Sequence, residues 1–400
     1  MKVQTTKKRI AVVVSHPIQH FCPQYSSWAA LDGVDLRVFF ASRHGLDPYE
    51  DKNFARTVQW NQLVLDFPHE FLPGAATRRL DARIDCIEIE ARLSEFAPHI
   101  VVAYGYAQPL QRRTMRWVKS NAKQSIMIGD SELRSRRGFG KRALKSMLLP
   151  RIFSKIDLFL SVGDANEAYY RHYGVDERKL IRGFFPIDIR AFAAEDCGRD
   201  DRRARLRADL GIPDSHVVLL MVGKLVAWKR QKDLVEFSNR MQTCRGDVTV
   251  VYAGTGPDEQ RLREETQKCG AGGVIFAGFI PPSELVDFYY AADVYVHCSE
   301  VEPHSLAVSE AIYSSLPVVL SDRCGSYGPS DDVREGLNGF VYPCGDIEKL
   351  SAALLALIER SELRTSMATE SRRIAVENQS LAHGKALLQA LEILSMAERT

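Results

Sequence analysis

Short apolar runs alternate with helical stretches along this chain, and the alternation occurs twice. Short runs that are mostly apolar, of about three to seven residues, are typical of parallel strands that are buried on both faces. In the first half they cover residues 9–14, 34–40, 100–103, 123–128 and 158–162, with a helix at 165–173. In the second half they cover residues 217–222, 248–253, 274–279, 294–297, 318–320 and 336–342. Alternation of this kind predicts an α/β chain with two doubly wound, Rossmann-like domains.

The length of 400 residues is too great for one ordinary core and fits two domains of similar size. The charge-rich segment 188–207 is interpreted as the connection between them, together with an opening helix. We therefore predict an N-terminal domain over 1–190 and a C-terminal domain over 191–375. A final helix within 376–400 is predicted to pack back on the first domain.

Composition narrows the class of protein. Hydrophobic residues make up 45% of the chain and charged residues 26%, as in soluble globular proteins. A net charge of +2 excludes a strongly basic nucleic-acid binder as the default, so no nucleic-acid partner is expected. The eight cysteines are scattered, which predicts reduced thiols and no zinc site. The sequence shows no signal peptide and no apolar run of about 20 residues, so we expect a cytoplasmic or peripheral protein.

The most informative stretch is 299–322. Pro303 favours a loop, a helix is expected from Leu306 to about Ser315, and Pro317 precedes a buried strand. Glu302 then lies at the helix entrance and Glu310 about a turn and a half inside the helix. Amides of residues 304–307 would face a phosphate, and the two carboxylates would accept hydrogen bonds from sugar and ribose hydroxyls. On the spacing alone, two solvated glutamates are the simpler interpretation.

Two lysines follow the strand at 217–222, so Lys224 and Lys229 are expected at the same sheet edge as Glu302. Their ammonium groups would neutralise a leaving diphosphate in place of a metal. A lysine pair on a loop is often only solvated. Gly254 opens a Gly-Thr-Gly-Pro turn after the next strand, which alone marks a tight turn more often than a phosphate cradle. No Asp-x-Asp motif or His/Cys cluster indicates a metal.

Polar residues also follow strands of the first half. The loop at 15–23 leaves the carboxyl end of the first strand, where open α/β sheets place ligands. Packing or capping explains any single histidine of that loop equally well. The cleft candidates of this half are His16, Gln19, His20, Tyr104, Asp130 and Glu132.

Residues 134–155 contain eight basic residues and no acidic one, with Leu144, Met147, Leu148 and Leu149 between the later charges. A basic amphipathic segment of this kind is able to lie on an anionic membrane. A solvated helix face or a basic acceptor pocket is the alternative.

Taken together, these motifs resemble retaining glycosyltransferases of family four, which have the GT-B arrangement of two facing Rossmann-like domains with a cleft between them. The first domain resembles a subgroup with Ser-His-Pro-Ile-Gln-His at 15–20 and Asp-Ser-Glu-Leu-Arg at 130–134. The motifs of the second half occur in the family's order and spacing: Gly223-Lys224 with Lys229, Gly254-Thr-Gly-Pro, Gly278-Phe279, Ala292-Asp293, Glu302 with Glu310, 317–322 and 338–340.

The resemblance implies a role for each matching residue. Lys224 and Lys229 would hold the donor diphosphate, Glu302 would bind the transferred sugar and Glu310 the ribose. Glu302, Lys229 and Lys224 would be the catalytic set. The remaining donor-binding positions implied are Gly254, Phe279, Ile280, His304, Ser305 and Leu306. His304-Ser305 stands where family members commonly have Phe-Gly, and the loss of glycine restricts close approach of the backbone to the donor.

The implied reaction is metal-independent and needs no cofactor. A nucleotide-diphosphate sugar would be the donor, and a glycan or lipid-linked saccharide of surface polysaccharide biosynthesis the acceptor. A nucleotide-sugar epimerase of the same fold and a non-catalytic scaffold subunit are the alternatives. The absence of Gly-x-Gly-x-x-Gly after the first strand of either domain argues against a dinucleotide-dependent oxidoreductase.

Overall fold

A computed structural model describes residues 7–51, 56–58, 63–134, 139–193, 198–242, 246–268 and 273–397. Part of the predicted interdomain connection, 194–197, and part of the basic segment, 135–138, lie outside these residues.

The first domain is built on a seven-stranded parallel sheet with the order β5-β2-β1-β6-β7-β8-β9. Its strands are β1 (Lys8–Val14), β2 (Val34–Phe40), β5 (His69–Phe71), β6 (Ile100–Tyr104), β7 (Gln124–Gly129), β8 (Leu158–Ser161) and β9 (Leu180–Arg182). A separate antiparallel ribbon joins β3 (Tyr49–Asp51) to β4 (Arg56–Val58). Residues 10–14 of the central strand β1 are all buried, which explains their uninterrupted apolar sequence.

The helices of this domain are α1 (Cys22–Ala29), α2 (Ile89–Phe96), α3 (Pro109–Ser120), α4 (Phe139–Phe153), α5 (Asp164–His172) and α6 (Ile189–Ala193), with a 3₁₀ turn at Glu177–Lys179. The sequence predicted α5 and the amphipathic segment that contains α4. It did not resolve α1, α2 and α3, although the buried residues of α3 recur on one helical face.

The second domain repeats the plan with a six-stranded parallel sheet in the order β12-β11-β10-β13-β14-β15. Its strands are β10 (Val217–Val222), β11 (Val248–Ala253), β12 (Val274–Gly278), β13 (Val294–His297), β14 (Val318–Ser321) and β15 (Gly339–Tyr342). Its helices are α7 (Arg199–Asp209), α8 (Gln231–Gln242), α9 (Glu259–Lys268), α10 (Pro282–Ala291), α11 (Leu306–Tyr313) and α12 (Ile347–Glu359), with a 3₁₀ turn at Ala227–Lys229.

The chain then returns to the first domain. Helix α13 (Ser361–Ser380) continues through a π turn at Leu381–Lys385 into α14 (Ala386–Ala397). Ala386, Leu387, Ala390 and Leu394 of α14 lie in the hydrophobic core of the first sheet. In the π turn, the carbonyl oxygen of Ala382 accepts hydrogen bonds from the side chains of Gln24 and Trp28 in α1, at 2.7 and 3.2 Å.

The two domains also meet through a reciprocal contact of glycine and aspartate. A Cβ atom at Gly163 would lie 2.3 Å from the Asp331 carboxylate, and one at Gly328 would lie 2.1 Å from the Asp164 carboxylate. Each domain thus leaves space for an acidic side chain at the facing loop. The Asp331 carboxylate accepts a hydrogen bond from the Asp164 amide at 2.7 Å, and Asp164 accepts one from the Ser330 hydroxyl at 2.6 Å.

None of the helices that the structure describes is both long and apolar enough to cross a bilayer.

The packing of α14 predicts a difference between two adjacent leucines. Leu387 is fully buried against the first sheet, whereas Leu388 is 40% exposed. Leu387→Ala should lower the free energy of unfolding of the first domain by about 2–5 kcal/mol because it removes buried methyl groups and leaves a cavity. Leu388→Ala, the matched control, should stay within about 0.5 kcal/mol. Chemical denaturation measures both, and equal effects would contradict the packing.

Candidate active site in the interdomain cleft

Two cavities open between the domains. The first, of about 290 Å³, is called here the Glu310 cavity. Its lining includes Gln19, His20, Gly223, Gly254, Phe279, Ile280, Leu306 and Glu310. The second, of about 310 Å³, is called the Glu302 cavity. It is lined by Glu132 and Arg134 from the first domain and by Arg230, Glu300, Val301, Glu302, Arg323 and Cys344 from the second.

Lys229 and Glu302 form an ion pair at the edge of the second sheet. The Lys229 ammonium donates a hydrogen bond to Oε2 of Glu302, and both side chains are 18% exposed. Nε2 of His297 lies 3.5 Å from the same oxygen, and the Ser299 hydroxyl donates to it at 3.4 Å. Burial alone would raise the pKa of Glu302, but the His297 hydrogen bond and the Lys229 charge outweigh it and bring the pKa to about 2. Glu302 is therefore ionised at neutral pH.

The loop that carries Glu302 is held by backbone contacts. The Gly325 amide donates to the Glu302 carbonyl at 2.8 Å. A Cβ atom at Gly325 would lie 1.7 Å from the Pro303 carbonyl oxygen, so this close approach requires glycine. A similar constraint explains the Gly-Thr-Gly-Pro turn. Cβ atoms at Gly254 and Gly256 would lie 1.9 Å and 2.3 Å from the carbonyl oxygens of Gly223 and Leu225.

Glu310 lies on α11 and lines the cavity named after it. The hydroxyl of Tyr289, which the sequence did not single out, donates to Oε2 of Glu310 at 2.7 Å. Burial raises the pKa of Glu310 to about 7, although the Tyr289 hydrogen bond acts in the opposite direction. A carboxyl group with this pKa changes its charge near neutral pH.

The entrance of α11 differs in part from the prediction. The Ser305 amide already donates to the Ser326 hydroxyl at 2.8 Å, and Ser305 is buried. Leu306, another of the residues whose amides were predicted to face a phosphate, lines the Glu310 cavity.

The His304 side chain, which is 1% exposed, packs edge-on against Phe185 with the ring centroids 5.2 Å apart. Its Nε2 lies 3.3 Å from Oδ2 of Asp332. His304 is therefore part of the interface between the domains and is not among the lining residues of either cavity.

Lys224 lies two residues beyond β10 and is half-buried. It is not among the lining residues of either cavity. Its role at the diphosphate stays a prediction.

The candidate cleft residues of the first domain lie at different places in the structure. Gln19 and His20 line the Glu310 cavity, and Glu132 lines the Glu302 cavity. Burial lowers the pKa of His20 to about 3, so its imidazole is neutral.

Two other candidates pack within the first domain. His16 receives or donates a hydrogen bond at Nδ1 with the Ser15 hydroxyl at 2.9 Å and lies 5.5 Å from the His44 ring. Tyr104 packs edge-on against Phe21, and its hydroxyl is buried. Neither residue lines the two cavities.

Asp130 is accessible to solvent at the end of β7, yet protein surrounds it on both sides of the cleft. Burial raises its pKa, and the charges of Glu302 and Glu132 add to the rise. Those contributions locate Asp130 near the Lys229–Glu302 pair. The carboxylate has no side-chain hydrogen bond or ion pair within the described part of the chain, so it is available to a ligand.

One group of side chains within the described residues has the chemistry of metal ligands, although the sequence predicted no metal. Ligand atoms of His304, Asp331 and Asp332 lie within 4.8 Å of one another. The Asp332 carboxylate accepts hydrogen bonds from Ser309 at 2.6 Å and from Asn378 at 2.8 Å. These hydrogen bonds, together with those of Asp331, indicate that the three side chains stabilise the interface between the domains. Independence from metals stays a prediction.

Comparison with solved structures identifies the fold class. The chain is similar to a crystal structure of Anabaena Alr3699/HepE in complex with UDP and glucose, with a TM-score of 0.68 and 16% identity over 97% of this chain and 100% of that one. It is also similar to a glycosyltransferase from Rickettsia africae, with a TM-score of 0.70 and 13% identity over 97% of each chain. The two parallel-sheet domains are therefore in the GT-B arrangement.

Sequence comparison finds similarity to one protein family within the second domain. Residues 202–374 match the family described as "Glycosyl transferases group 1". A D-inositol 3-phosphate glycosyltransferase of Geodermatophilus obscurus is 31% identical over 217 residues, which are 52% of this chain and 46% of the relative. An alpha-monoglucosyldiacylglycerol synthase of Streptococcus pneumoniae is 30% identical over 207 residues, 51% of this chain and 45% of the relative. The chain thus matches slightly less than half the length of these curated relatives.

The pKa of Glu310 predicts a pH dependence of stability. Between about pH 4.5 and pH 7 the folded protein holds a proton on Glu310 that the unfolded chain has released, so stability should fall as the pH rises through this range and then level off. Glu310→Gln should lack this contribution. Thermal unfolding of both proteins from pH 4 to pH 8 is the measurement. Parallel profiles of the two proteins would contradict the raised pKa.

Proposed function

We propose that this protein is a retaining glycosyltransferase that moves a sugar from a nucleotide-diphosphate donor to a glycan or lipid-linked saccharide in surface polysaccharide biosynthesis. The observation that carries the proposal is the Lys229–Glu302 ion pair in the cleft, where Glu302 lines one of two cavities of ligand size. An ammonium beside an ionised carboxylate provides one group for a phosphate and one for sugar hydroxyls.

The nucleoside of the donor fits the Glu310 cavity. Phe279, Ile280 and Val286 offer apolar surface for a base, and Glu310 offers carboxylate oxygens for ribose hydroxyls. The match of residues 202–374 to the glycosyltransferase family spans these positions, and the Anabaena relative was crystallised with UDP and glucose. Both findings support a nucleotide-diphosphate sugar as the donor.

The transferred sugar would then lie towards the Glu302 cavity, with the diphosphate beside Lys229. As the bond between the anomeric carbon and the phosphate oxygen breaks, negative charge grows on the leaving diphosphate, and the ammonium groups of Lys229 and Lys224 stabilise it. The acceptor hydroxyl attacks the same face of the sugar and gives its proton to the leaving phosphate. Lysines supply the positive charge in this scheme, so no metal or other cofactor is required.

The acceptor would enter from the first domain. Asp130 follows β7 in that domain, where the charge of Glu302 adds to the rise of its pKa, and Glu132 lines the Glu302 cavity. Carboxylates at these positions would accept hydrogen bonds from acceptor hydroxyls. The Streptococcus relative, by its name, acts on a lipid, and a further structural neighbour, WaaG, is a glycosyltransferase involved in lipopolysaccharide biosynthesis. These relatives favour a lipid-linked or polysaccharide acceptor at the cytoplasmic side of a membrane.

Removal of either member of the ion pair should abolish transfer. Lys229→Ala removes the charge that stabilises the leaving group, and Glu302→Gln removes the charged acceptor for sugar hydroxyls. Each should lower kcat/KM by roughly 100-fold or more. Lys232→Ala, on the exposed surface of the neighbouring helix, is the matched control and should keep full activity.

The assay uses a panel of nucleotide-diphosphate sugars with and without saccharide acceptors, after a screen for thermal stabilisation by nucleotide diphosphates. Transfer that survives in both variants would contradict the proposal. An isomerised sugar formed without an acceptor would instead identify a nucleotide-sugar epimerase.

We also propose that α4 rests on an anionic membrane. Leu144, Met147 and Leu148 are 53%, 55% and 43% exposed, and Arg151 and Lys155 continue the same helical face into the following turn. Apolar side chains flanked by cations suit the boundary between lipid headgroups and acyl chains. Arg134 does not belong to this face, because it donates to the Cys324 carbonyl of the second domain and stacks on Tyr327.

Neutralising that face should release the protein from vesicles. Arg151→Gln with Lys155→Gln should weaken binding to phosphatidylglycerol-containing vesicles by roughly tenfold or more, since each basic residue near the surface adds to the attraction. Arg116→Gln with Lys119→Gln, on exposed positions of α3, is the control of equal charge. Sedimentation with vesicles measures both. Equal binding of the two double variants to the vesicles would contradict the membrane proposal.

A further inference from the structure

Arg230 has a backbone conformation that its residue type disfavours. It follows the 3₁₀ turn at Ala227–Lys229 with φ 53° and ψ 38°, in the left-handed region. Glycine adopts this conformation readily, whereas a residue with a Cβ atom is strained there. Strained residues concentrate at sites where a side chain has a function. The side chain of Arg230 is therefore a candidate for such a function.

The guanidinium of Arg230 is held in one orientation. Its Nε and Nη2 donate to the two oxygens of Asp233 at 2.8 and 2.9 Å, and the Asp233 side chain is 2% exposed. The neighbouring residue is Gly345, where a Cβ atom would lie 2.8 Å from Nη2 of Arg230. A buried carboxylate and a glycine thus fix the guanidinium in place. The remaining nitrogen, Nη1, has no hydrogen-bond acceptor among the described residues.

Arg230 is among the residues that line the Glu302 cavity, and it follows Lys229 directly in sequence. Arg323 lines the same cavity from the loop after β14. Arg323 forms an ion pair with Asp322, whose Oδ1 lies 3.7 Å from Nε, and its side chain is 39% exposed. Within the described part of the chain the Arg323 guanidinium donates no hydrogen bond to another side chain, so its N–H groups are available to a ligand.

Two of the three acidic side chains that line the cavity already have a hydrogen-bond partner. Lys229 balances the charge of Glu302, and the Glu132 carboxylate accepts a hydrogen bond from the Arg134 amide. Glu300 also lines the cavity and is exposed to solvent. The donors that this lining offers to a ligand include those of two guanidinium groups, whose planar geometry matches a carboxylate or a phosphate.

We propose that the substrate bound in the Glu302 cavity carries an anionic group, a carboxylate or a phosphate, and that Arg230 and Arg323 bind it. This inference rests on the proposed glycosyltransferase function and adds a substrate class to it. The anion belongs either to the transferred sugar or to the acceptor, and both lie at this cavity during transfer. Arg230 is then a residue that determines specificity.

Arg230→Gly removes the guanidinium and relieves the backbone strain, but it also leaves the buried Asp233 carboxylate without its partner. The unfolding temperature of this variant is therefore measured before binding, and binding is compared at a temperature where the variant is folded. Arg323→Ala removes the second guanidinium from an accessible loop position. Lys232→Ala again serves as the control for a lost positive charge nearby.

Binding is measured by thermal stabilisation and calorimetry in two arms. The donor arm compares UDP-glucuronate with UDP-glucose and with UDP alone. The acceptor arm compares glucose 6-phosphate with glucose in the presence of UDP. In at least one arm the anionic compound should bind more tightly to the wild type, and Arg230→Gly with Arg323→Ala should erase that preference, a loss of roughly tenfold or more.

The outcomes separate this inference from the proposed function. If UDP and other nucleoside diphosphates do not bind at all, the proposed function fails. If they bind but neither anionic compound is preferred, or if the preference survives in Arg230→Gly with Arg323→Ala, the anion site is refuted and the glycosyltransferase proposal remains. The arm that shows the preference assigns the anion to donor or acceptor.

Discussion

The ion pair of Lys229 and Glu302 depends on the neighbouring positions of two strands. Strands β10 and β13 pair in parallel at the centre of the second sheet, so the loops that follow them leave the same edge side by side. One loop carries Lys229 and the other carries Glu302. An ammonium and a carboxylate that are both mostly buried need each other, because either one alone would bear the cost of desolvation. Glu302 of this pair also lines the cavity named after it.

The cleft itself depends on the way the chain crosses between the domains. The first domain is completed by α14, whose buried leucines enter its core from the far end of the sequence. The facing pairs of Gly163 with Asp331 and Gly328 with Asp164 bring the loops of the two sheets close together. Because both crossings lie beside the cavities, the arrangement of the domains and the shape of the site are coupled.

Much of the fold was readable from the sequence, and the reason is burial on both faces. Strands such as β1, β10 and β11 are mostly apolar runs, and Pro317 marks the start of β14. The edge strands β5 and β9 have three residues each, too few for a pattern to emerge. Helix α1 begins with a proline in its first turn and has polar residues among its buried ones, so its period is weak, whereas α3 has a regular buried face that the sequence analysis did not use.

Sequence alone determined the doubly wound plan, because apolar runs are local properties, and it offered Glu302 and Glu310 as candidates at the carboxyl edge of the second sheet. Tertiary structure decided which of those residues meet. Glu302 pairs with Lys229, 73 positions away in sequence, and Tyr289 donates a hydrogen bond to Glu310. Tyr104 and His304 pack against phenylalanine rings instead of lining a cavity. Tertiary structure also exposed the left-handed Arg230 and its fixed guanidinium. Contacts between distant loops follow from how strands pair, and no short stretch of sequence determines which strands pair.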